Sequence, residues 1–414
     1  MWIERDIDEA LRVEVSTRPC VVVTGGRQTG KTEVLVKTFP DHPYVTLDLP
    51  LVAEEAEQSG GTFLDKYGTP MILDEVQYAP NIFRYIKARV DLNRNVNGQY
   101  LLSGSQKFQL MKGLVESLAG RVGVVDLHSL SLSEIRNWSG QKATKEQILD
   151  WCVQGGYPEL HAQSLSPERF YGSLVVTYLE RDVRSAIQVR SLLDFNRFMR
   201  IIASRSGQLV SSAGLSADLG VSANTVKSWI DVLEASGIVT LLPPYYPRNF
   251  GKRVIKTPKL YFLDTGLLCF LLGIRTGKQL AESSLAGAVF ETLAFGQMLR
   301  WHTNRLLKTQ IYFFRDHAGH EADFLIAEAD GVRLFDAKLS TRPDFSALNP
   351  AAGVLGEKEK ILEKVLITPD SGDVSLPKSG VKLRGVVDPM GQTAVKAKKT
   401  AVKKQAKAIA RSGR

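Results

Sequence analysis

The sequence has few cysteines and no long apolar run, and each shortage excludes a class of protein. Its three cysteines, Cys20, Cys152 and Cys269, lie far apart, without the paired spacing of a zinc site or a disulfide framework. "LLCFLLG" (267–273) is among the longest apolar stretches and is far too short to cross a bilayer. Residues 1–15 are charged and acidic, unlike a secretory signal. We therefore expect a cytoplasmic protein with buried cysteines in a reducing compartment.

Acidic residues are also missing from the last part of the chain. Residues 389–414 contain no aspartate or glutamate and carry eight of the nine net positive charges, which leaves about +1 for the rest (9 − 8). A lysine–alanine run without a hydrophobic stripe cannot offset its ordering entropy, so we predict a disordered tail. The favoured role is contact with nucleic acid phosphates, here DNA, which would associate the protein with the nucleoid; the alternative is a solubilising extension. The basic residues are Lys396, Lys398, Lys399, Lys403, Lys404, Lys407, Arg411 and Arg414.

The segment "GGRQTGKT" (25–32) matches the pattern G-x-x-x-x-G-K-[ST] at every defined position. The run before it, "PCVVVT", is typical of a buried strand, and "KTEVLVKTF" continues as a helix. Strand, glycine-rich loop and helix together point backbone N–H groups at a polyphosphate. Lys31 would reach the β- and γ-phosphates, and the Thr32 hydroxyl would ligate Mg²⁺. The residues expected to bind ATP are Gly25, Gly26, Arg27, Gln28, Thr29, Gly30, Lys31 and Thr32.

Two further strand ends supply the rest of an ATPase site. "TPMILDEVQ" (69–77) is an apolar strand ending in Asp74, which would hold Mg²⁺, and Glu75, which would orient and deprotonate the attacking water. "QYLLSGSQ" ends in Ser103 and Ser105. One of these hydroxyls senses the γ-phosphate or positions the water, or both are ordinary strand-end residues. The sequence thus predicts an ATP-hydrolysing core that uses Mg²⁺, although ATP is not distinguished from GTP.

Several segments in a fixed order carry a resemblance to a known family. The pair Arg27–Gln28 and the segments "ILDEVQ", "LLSGSQ", "ESLAGRVGVVDLHSLSLSEI", "GGYPEL", "YLERDVR", "LDTGLLCFLLG" and "GAVFETLAF" resemble prokaryotic AAA-type P-loop ATPases with a C-terminal domain of unknown function. The resemblance covers roughly residues 1–340. It implies ATP binding and an AAA-like core.

The same resemblance implies a role for Arg121, in "SLAGRVG". A guanidinium brought to the γ-phosphate, in cis or from a neighbouring subunit, would stabilise charge in the transition state. The alternative is a structural ion pair with an acid at a strand end. An arginine acting from a neighbour would require a homo-oligomer.

We predict an α/β chain of five parts: a P-loop core (1–135), a helical lid (136–205), a winged helix-turn-helix (206–250), a restriction-endonuclease-like domain (251–388) and the basic tail (389–414). In the lid, "GGYPE" is expected to be a turn between helices and "YLERDVRSAI" (178–187) a charged helix.

The winged helix is predicted from "LSADLGVSANTVKSWIDVLEASGIVTLLPPY" (215–245). Its apolar spacing gives two short helices around Gly220, with Ser222 as an N-cap and Gly237 as a stop, followed by a strand. Three polar side chains of the second helix would face a DNA major groove: Asn224, Lys227 and Ser228. Asp231 and Glu234 on the same helix oppose DNA binding, so a DNA-reading module and a packing module are both kept as hypotheses.

The segment "YFFRDHAGHEADFLIAEADGVRLFDAKLS" (312–340) predicts three strands with a tight turn. Asp323 falls on one strand and Asp336 and Lys338 on one face of the next, as in the D…(D/E)-x-K site of restriction-endonuclease-like folds. Glu291 comes from the preceding helix. Asp323 and Asp336 would bind Mg²⁺, and Lys338 would orient or acidify the water attacking a phosphodiester.

Departures from the family pattern are small, since this chain has "EAD" and "DAK" where members generally show "EVD" and "EVK". The alternative is a silent nuclease-like fold whose acids remain as surface or partner-binding residues. His317 and His320 flank a turn and are expected to be solvated rather than to ligate metal.

Three hypotheses for function follow. The first is an ATP-dependent switch or motor of AAA type coupled to DNA. The second is a metal-dependent nuclease gated by ATP, and the third is an ATP-binding scaffold that recruits a protein partner.

Overall fold

The computed structural model describes residues 1–105, 117–163, 165–179, 192–247, 254–308, 310–340, 342–369, 374–376 and 379–391. Most of the charged helix predicted over 178–187 and all eight basic residues of the predicted tail lie outside the described residues.

The N-terminal part is a parallel sheet covered by helices on both faces. Its elements are α1 (Asp8–Thr17), β1 (Cys20–Thr24), α2 (Lys31–Thr38), β2 (Tyr44–Thr46), α3 (Pro50–Gln58), α4 (Gly60–Tyr67), β3 (Met71–Asp74), a 3₁₀ turn (Val76–Tyr78), α5 (Ile82–Leu92), β4 (Tyr100–Gly104) and β5 (Val122–Asp126). The strands lie in the order β2-β3-β4-β1-β5, and each neighbouring pair is parallel. The predicted α/β core is confirmed.

Strand β1 shows why the core forms here. Val22 belongs to the apolar cluster on one face of the sheet, and Val21 and Val23 belong to the cluster on the other. Alternate side chains of a strand point to opposite faces, so a continuous apolar run suits a strand that is covered twice. The carboxyl ends of β1, β3 and β4 consequently meet at one buried edge.

Helices follow from residue 132 onward. They are α6 (Leu132–Ser139), α7 (Lys145–Gln154), α8 (Pro158–Ala162), α9 (Pro167–Leu174), a π-helical turn (Val175–Leu179) and α10 (Leu192–Ser204). Ser131 begins α6 with a reciprocal capping box to Glu134. Gly155 and Gly156 connect α7 to α8, so the segment expected as a turn between helices is one.

A small module comes next, with strands β6 (Gln208–Leu209), β7 (Val239–Leu242) and β8 (Lys259–Phe262) and helices α11 (Ser212–Leu219) and α12 (Ala223–Ala235). We call it the helix-turn-helix module. Gly220 separates the helices with φ 70°, and the Ser222 hydroxyl accepts from Thr225 N at 3.1 Å to begin α12. Its antiparallel sheet has the order β6-β8-β7. The structure therefore extends this module past the boundary predicted at residue 250, because β8 pairs with both other strands.

The C-terminal part is a mixed sheet with helices. Its elements are α13 (Thr265–Leu271), α14 (Gly277–Glu282), α15 (Ala286–Thr303), β9 (Ile311–Arg315), β10 (Glu321–Glu328), β11 (Gly331–Ala337), α16 (Asn349–Gly356), β12 (Ile361–Thr368), β13 (Val374–Leu376) and β14 (Val381–Gly385). The order is β13-β14-β12-β11-β10-β9; β9, β10 and β11 run antiparallel, and β11, β12 and β14 run parallel. The three strands predicted over 312–340 are present.

The parts downstream of residue 130 share one core. A single cluster of buried apolar side chains includes Trp151 of α7, Trp229 of α12, Phe290 of α15 and Phe335 of β11. Among the described residues, no helix combines the length and apolar character that a bilayer crossing requires.

Candidate functional site

The phosphate loop leaves β1 through a glycine that the fold requires. Gly25 has φ 145°, and a Cβ there would lie 2.1 Å from the backbone oxygen of Leu127. Gly30 has φ 88° and directly precedes α2, so the first N–H groups of that helix face the loop. Gln28 also adopts a left-handed φ of 58°. The expected strand–loop–helix arrangement is therefore present.

Lys31 lies inside this loop. Its Nζ donates to Gly26 O at 2.9 Å and to Gly25 O at 3.3 Å, and the residue is buried. Burial lowers the pKa of Lys31, and the carboxylates of Glu75 and Asp74 oppose that shift. The loop carbonyls thus hold the ammonium where a phosphate can replace them.

Asp74 is the centre of a hydroxyl network at the end of β3. Thr32 Oγ1 donates to Asp74 Oδ2 at 2.9 Å, and the Tyr44 hydroxyl donates to the same oxygen at 3.0 Å. The Ser103 hydroxyl donates to Oδ1. Burial and the Asp74 charge raise the pKa of Tyr44 to about 12, so it remains a donor at neutral pH. Hydroxyl and carboxylate oxygens are the ligands Mg²⁺ prefers, so Thr32 and Asp74 fit the ion.

Glu75 is held separately from Asp74. Its backbone is left-handed, with φ 55°, which is uncommon for a residue other than glycine. Ser105 donates to Glu75 Oε2 from its N–H at 3.1 Å and from its hydroxyl at 3.0 Å, and the Gln77 amide donates to the same oxygen. The two serines thus have different partners: Ser103 positions Asp74, and Ser105 positions Glu75.

Arg5 supports the loop from the N-terminus, and sequence analysis missed it. The Thr29 hydroxyl donates to Gly26 O at 2.9 Å, and the Thr29 carbonyl accepts from Arg5 Nη1 at 3.0 Å. The buried guanidinium also contacts Glu134 Oε1 at 3.0 Å and His128 O at 2.8 Å. Arg5 therefore connects the loop to the start of α6, and no local pattern marks it for this role.

Arg121 lies away from the phosphate loop. It directly precedes β5, whose first residue, Val122, pairs with Cys20 at the opposite end of β1. Its guanidinium contacts the Asp91 carboxylate at 2.6 and 3.2 Å. The interpretation of Arg121 as a ligand of the γ-phosphate in cis is therefore wrong, because the length of the sheet separates the two. Action from a neighbouring subunit stays a prediction.

The helix-turn-helix module touches the phosphate loop. A Cβ on Gly26 would lie 3.4 Å from Ser236 O, and one on Gly237 would lie 3.4 Å from Gly26 N. Each added Cβ would be in van der Waals contact with the opposite backbone, so the turn after α12 lies directly against the loop.

The polar residues of α12 divide between solvent and the module itself. Asn224 and Lys227 are exposed, as is Asp231, whereas Ser228 is half-buried. Glu234 turns inward and accepts from Leu241 N at 2.7 Å, which connects the helix to β7. Only Asp231 of the two acids therefore remains on the exposed face.

The four predicted nuclease residues converge in the structure, together with a lysine that was not predicted. Lys338 Nζ lies 2.9 Å from Asp336 Oδ2, and Asp323 accepts from Ala337 N at 3.0 Å. Glu291 and Asp323 instead share a buried lysine, Lys259, with Nζ distances of 3.1 and 3.7 Å. In the part of the chain that the structure describes, no three His, Cys, Asp or Glu side chains are placed to hold an ion. Asp323 and Asp336 are hydrogen-bonded to each other through their side chains, and Mg²⁺ binding by this pair stays a prediction.

His320 has a partner within its own turn. His320 Nδ1 lies 2.8 Å from Asp316 Oδ2, so this side chain belongs to the turn between β9 and β10. Its side chain is partly exposed. That neither His317 nor His320 ligates a metal stays a prediction.

Comparisons with known proteins agree with this geometry. Residues 17–136 match the family described as AAA domain, and residues 145–278 and 286–383 match two domains of unknown function, DUF8612 and DUF4143. The chain is 28% identical over 349 residues to the uncharacterized proteins Rv2008c of Mycobacterium tuberculosis and Mb2031c of Mycobacterium bovis, covering 84% of this chain and 76% of each relative.

Among solved structures, the Walker-type ATPase PABY2304 of Pyrococcus abyssi matches 65% of this chain and 96% of its own, at 12% identity and a TM-score of 0.45. A similarity of that size carries no functional argument. The AAA match, in contrast, spans the phosphate loop, Asp74 and Glu75. The chain therefore joins an AAA-type P-loop ATPase domain to a C-terminal domain of unknown function.

Proposed function

We propose that this chain is an ATP-hydrolysing switch that acts on or with DNA, in which the state of the phosphate loop is passed to the helix-turn-helix module. The observation that carries hydrolysis is the pairing of Thr32 with Asp74 beside a separately held Glu75. A site that only binds nucleotide has no need of a second carboxylate fixed in a left-handed conformation.

The mechanism follows from the contacts at the sheet edge. The N–H groups of the loop and of the start of α2 bind the phosphates. Lys31 moves away from the carbonyls of Gly25 and Gly26 and contacts the phosphates instead. Thr32 and Asp74 would hold Mg²⁺, which supplies charge neutralisation of the phosphates when bound. Glu75, fixed by Ser105, accepts a proton from the attacking water.

Coupling is supported by the contact between Gly26 and the turn at Ser236 and Gly237. If phosphate binding draws Lys31 away from Gly26 O, the loop changes shape beneath that turn. The turn joins α12 to β7, so a displacement of the turn also moves α12, the helix that presents Asn224 and Lys227 to solvent. We infer that this module is a winged helix and that nucleotide biases its position.

DNA association is supported by charge. The eight basic residues of the tail and the exposed Lys227 can neutralise phosphates without reading sequence. A homo-oligomer in which Arg121 reaches a neighbour's nucleotide is part of the same proposal.

Substitution of Glu75 by Gln tests hydrolysis. We expect the turnover number to fall at least about 100-fold while the dissociation constant of ATP stays within a fewfold, because the base is lost and the loop is intact. Exposed Glu282, replaced by Gln, is the matched control and should behave as the wild type. Unchanged turnover in Glu75→Gln would remove this residue from the mechanism, and turnover absent from the wild type under all conditions would favour the ATP-binding scaffold.

DNA association is tested by replacing all eight basic residues of the tail by Gln, which keeps its length. The logarithm of the association constant falls with the logarithm of salt by about 0.9 for each phosphate neutralised, so the slope should become several units shallower. The Lys227→Ala variant should shift the slope by about one unit at most. An identical slope in the tail variant would refute the role given to the tail.

The nuclease hypothesis receives less support from the geometry. The strands and the pair Asp336 and Lys338 are present, but the carboxylates of Glu291 and Asp323 are engaged by Lys259. We therefore derive no phosphodiester cleavage from this site.

A further inference from the structure

A buried lysine from the helix-turn-helix module lies among the carboxylates of the C-terminal sheet. Lys259, at the start of β8, is 3% exposed. Its Nζ lies 2.8 Å from Glu321 Oε1, 3.1 Å from Glu291 Oε1 and 3.7 Å from Asp323 Oδ1. The three carboxylates come from α15 and β10, so two elements of one domain surround a cation that belongs to another.

The position of this nitrogen is incompatible with a metal ion held by the same groups. A divalent cation would need these carboxylate oxygens within about 2.0–2.6 Å of its own centre. Instead, oxygens of Glu291 and Glu321 lie at hydrogen-bond distance from Nζ, with Asp323 slightly farther away. The ammonium therefore occupies the position that an ion bound by these three carboxylates would take, and two cations at that one position would repel each other. The donor set fits Lys259 and does not fit Mg²⁺.

Lys259 is held in this position by packing. It pairs with Leu209 of β6 and Leu242 of β7, so its backbone is fixed on both sides. Its ammonium also lies 5.7 Å from the centre of the Phe313 ring. The neighbouring Tyr261 hydroxyl donates to Glu291 Oε1 at 2.5 Å. Lys259 is therefore held at its backbone by strand pairing and at its ammonium by the carboxylates and the Phe313 ring.

Each carboxylate of this cluster has a cation of the chain itself within 4 Å. Besides the three contacts of Lys259, Arg315 Nη1 lies 3.5 Å from Glu321 Oε2, and Lys338 Nζ lies 2.9 Å from Asp336 Oδ2. The negative charge of the carboxylates is therefore met by side chains of the protein.

We propose that Lys259 is a resident cation that replaces the divalent ion of a restriction-endonuclease-like carboxylate site, so that this site binds no metal and fastens the helix-turn-helix module to the C-terminal sheet. This inference does not depend on the proposed ATPase function. It predicts that removing one ammonium creates a metal site from residues already in place.

The test measures Mn²⁺ binding to the full-length protein by electron paramagnetic resonance, in the absence of nucleotide. We compare the wild type, Lys259→Met, Lys259→Arg and the double variant Lys259→Met/Asp323→Asn. Lys259→Met should gain a bound Mn²⁺ that the double variant loses, and Lys259→Arg, which keeps the charge, should gain none. The dependence on Asp323 separates this ion from any Mn²⁺ bound by Thr32 and Asp74.

Two results would overturn the proposal. The first is Mn²⁺ binding, or Mn²⁺-dependent DNA cleavage, by the wild type that disappears in Asp323→Asn. The second is a folded Lys259→Met protein that gains no Mn²⁺. If Lys259→Met does not fold, as circular dichroism would show, the comparison of the wild type with Asp323→Asn still decides the first point.

Discussion

Gly25 is the residue at which the geometry of the phosphate loop can be tested most directly. In Gly25→Ala the new methyl group would lie 2.1 Å from Leu127 O, where ordinary contact begins at 3.4 Å. One of the two backbones must therefore move. Leu127 N donates to Thr24 O at 2.8 Å, so a movement there also weakens the hydrogen bond that joins the end of β1 to the residue after β5.

The cost can be worked out from these contacts. A φ of 145° in a residue with a side chain costs roughly 1–3 kcal/mol, and the weakened hydrogen bond adds about 1 kcal/mol. We therefore expect Gly25→Ala to lower the free energy of unfolding by roughly 3 kcal/mol. Since the loop is displaced, the dissociation constant of magnesium–ATP should rise at least about tenfold, or about 1.4 kcal/mol.

Gly140 provides the matched control. It is also left-handed, with φ 68°, but a Cβ there would meet nothing within 4 Å. Gly140→Ala should cost only the conformational strain, roughly 1 kcal/mol, and leave ATP affinity unchanged. Urea unfolding gives the stabilities, and calorimetric titration gives the affinities. Equal stabilities for the two variants, with wild-type ATP affinity in Gly25→Ala, would refute the claim that Leu127 forms a wall behind the loop.

Three further predictions concern charge and hydroxyl contacts. Glu363→Gln should destabilise the protein by about 3 kcal/mol at pH 7. Burial alone would raise the pKa of Glu363, but Lys382, Arg333 and Arg384 outweigh burial and lower this pKa from 4.5 to about 2. This stabilisation is present above pH 4.5 and is lost as the pH falls towards 2, so the free energies of unfolding of the wild type and the variant should converge near pH 2. A difference in free energy that does not change with pH would contradict this explanation. Arg121→Ala should lower turnover at least about tenfold without changing ATP affinity if the arginine serves a neighbour, whereas Asp91→Ala, which breaks only the ion pair, should not; equal rates in all three proteins would leave Arg121 a structural residue. Tyr44→Phe should raise the Mg²⁺ concentration for half-maximal turnover about tenfold, because Asp74 loses a positioning hydrogen bond. An unchanged Mg²⁺ concentration would show that Thr32 and Ser103 are enough to position Asp74.

The sequence was sufficient to predict those elements whose residues are close together along the chain. The phosphate loop, the strand ending in Asp74 and Glu75, and the three strands after residue 311 all carry local patterns, and the structure has each element in place. Asp323 and Asp336 were likewise expected on adjacent strands. Sequence analysis did not find Lys259 at that second site, because nothing near it in the chain indicates that its side chain enters the acidic cluster.

Residues that act across long separations could not be found in the same way. Arg5, which precedes α1, reaches Glu134 of α6 through tertiary packing. Tyr44 reaches Asp74 because β2 and β3 are neighbours in the sheet. Gly237 was expected to end a helix, and it does have φ 69°. Its contact with Gly26 depends on how two domains pack against each other, and the spacing of apolar residues along the sequence does not predict that packing. Arg121 was placed by resemblance alone, and pairing of Val122 with Cys20 puts it at the far end of the sheet.

The helix-turn-helix module links the two sites through opposite ends of one small structure. The turn at Gly237 rests on the phosphate loop at Gly26, and β8 sends Lys259 into the carboxylates of the C-terminal sheet. Between these ends, Trp229 of α12 and Leu260 of β8 are buried in the same apolar cluster. A close-packed core does not absorb a displacement at one side without moving the other. A movement of the loop that tilts this module must therefore strain the contacts of Lys259, and a module held firmly by Lys259 must resist that movement.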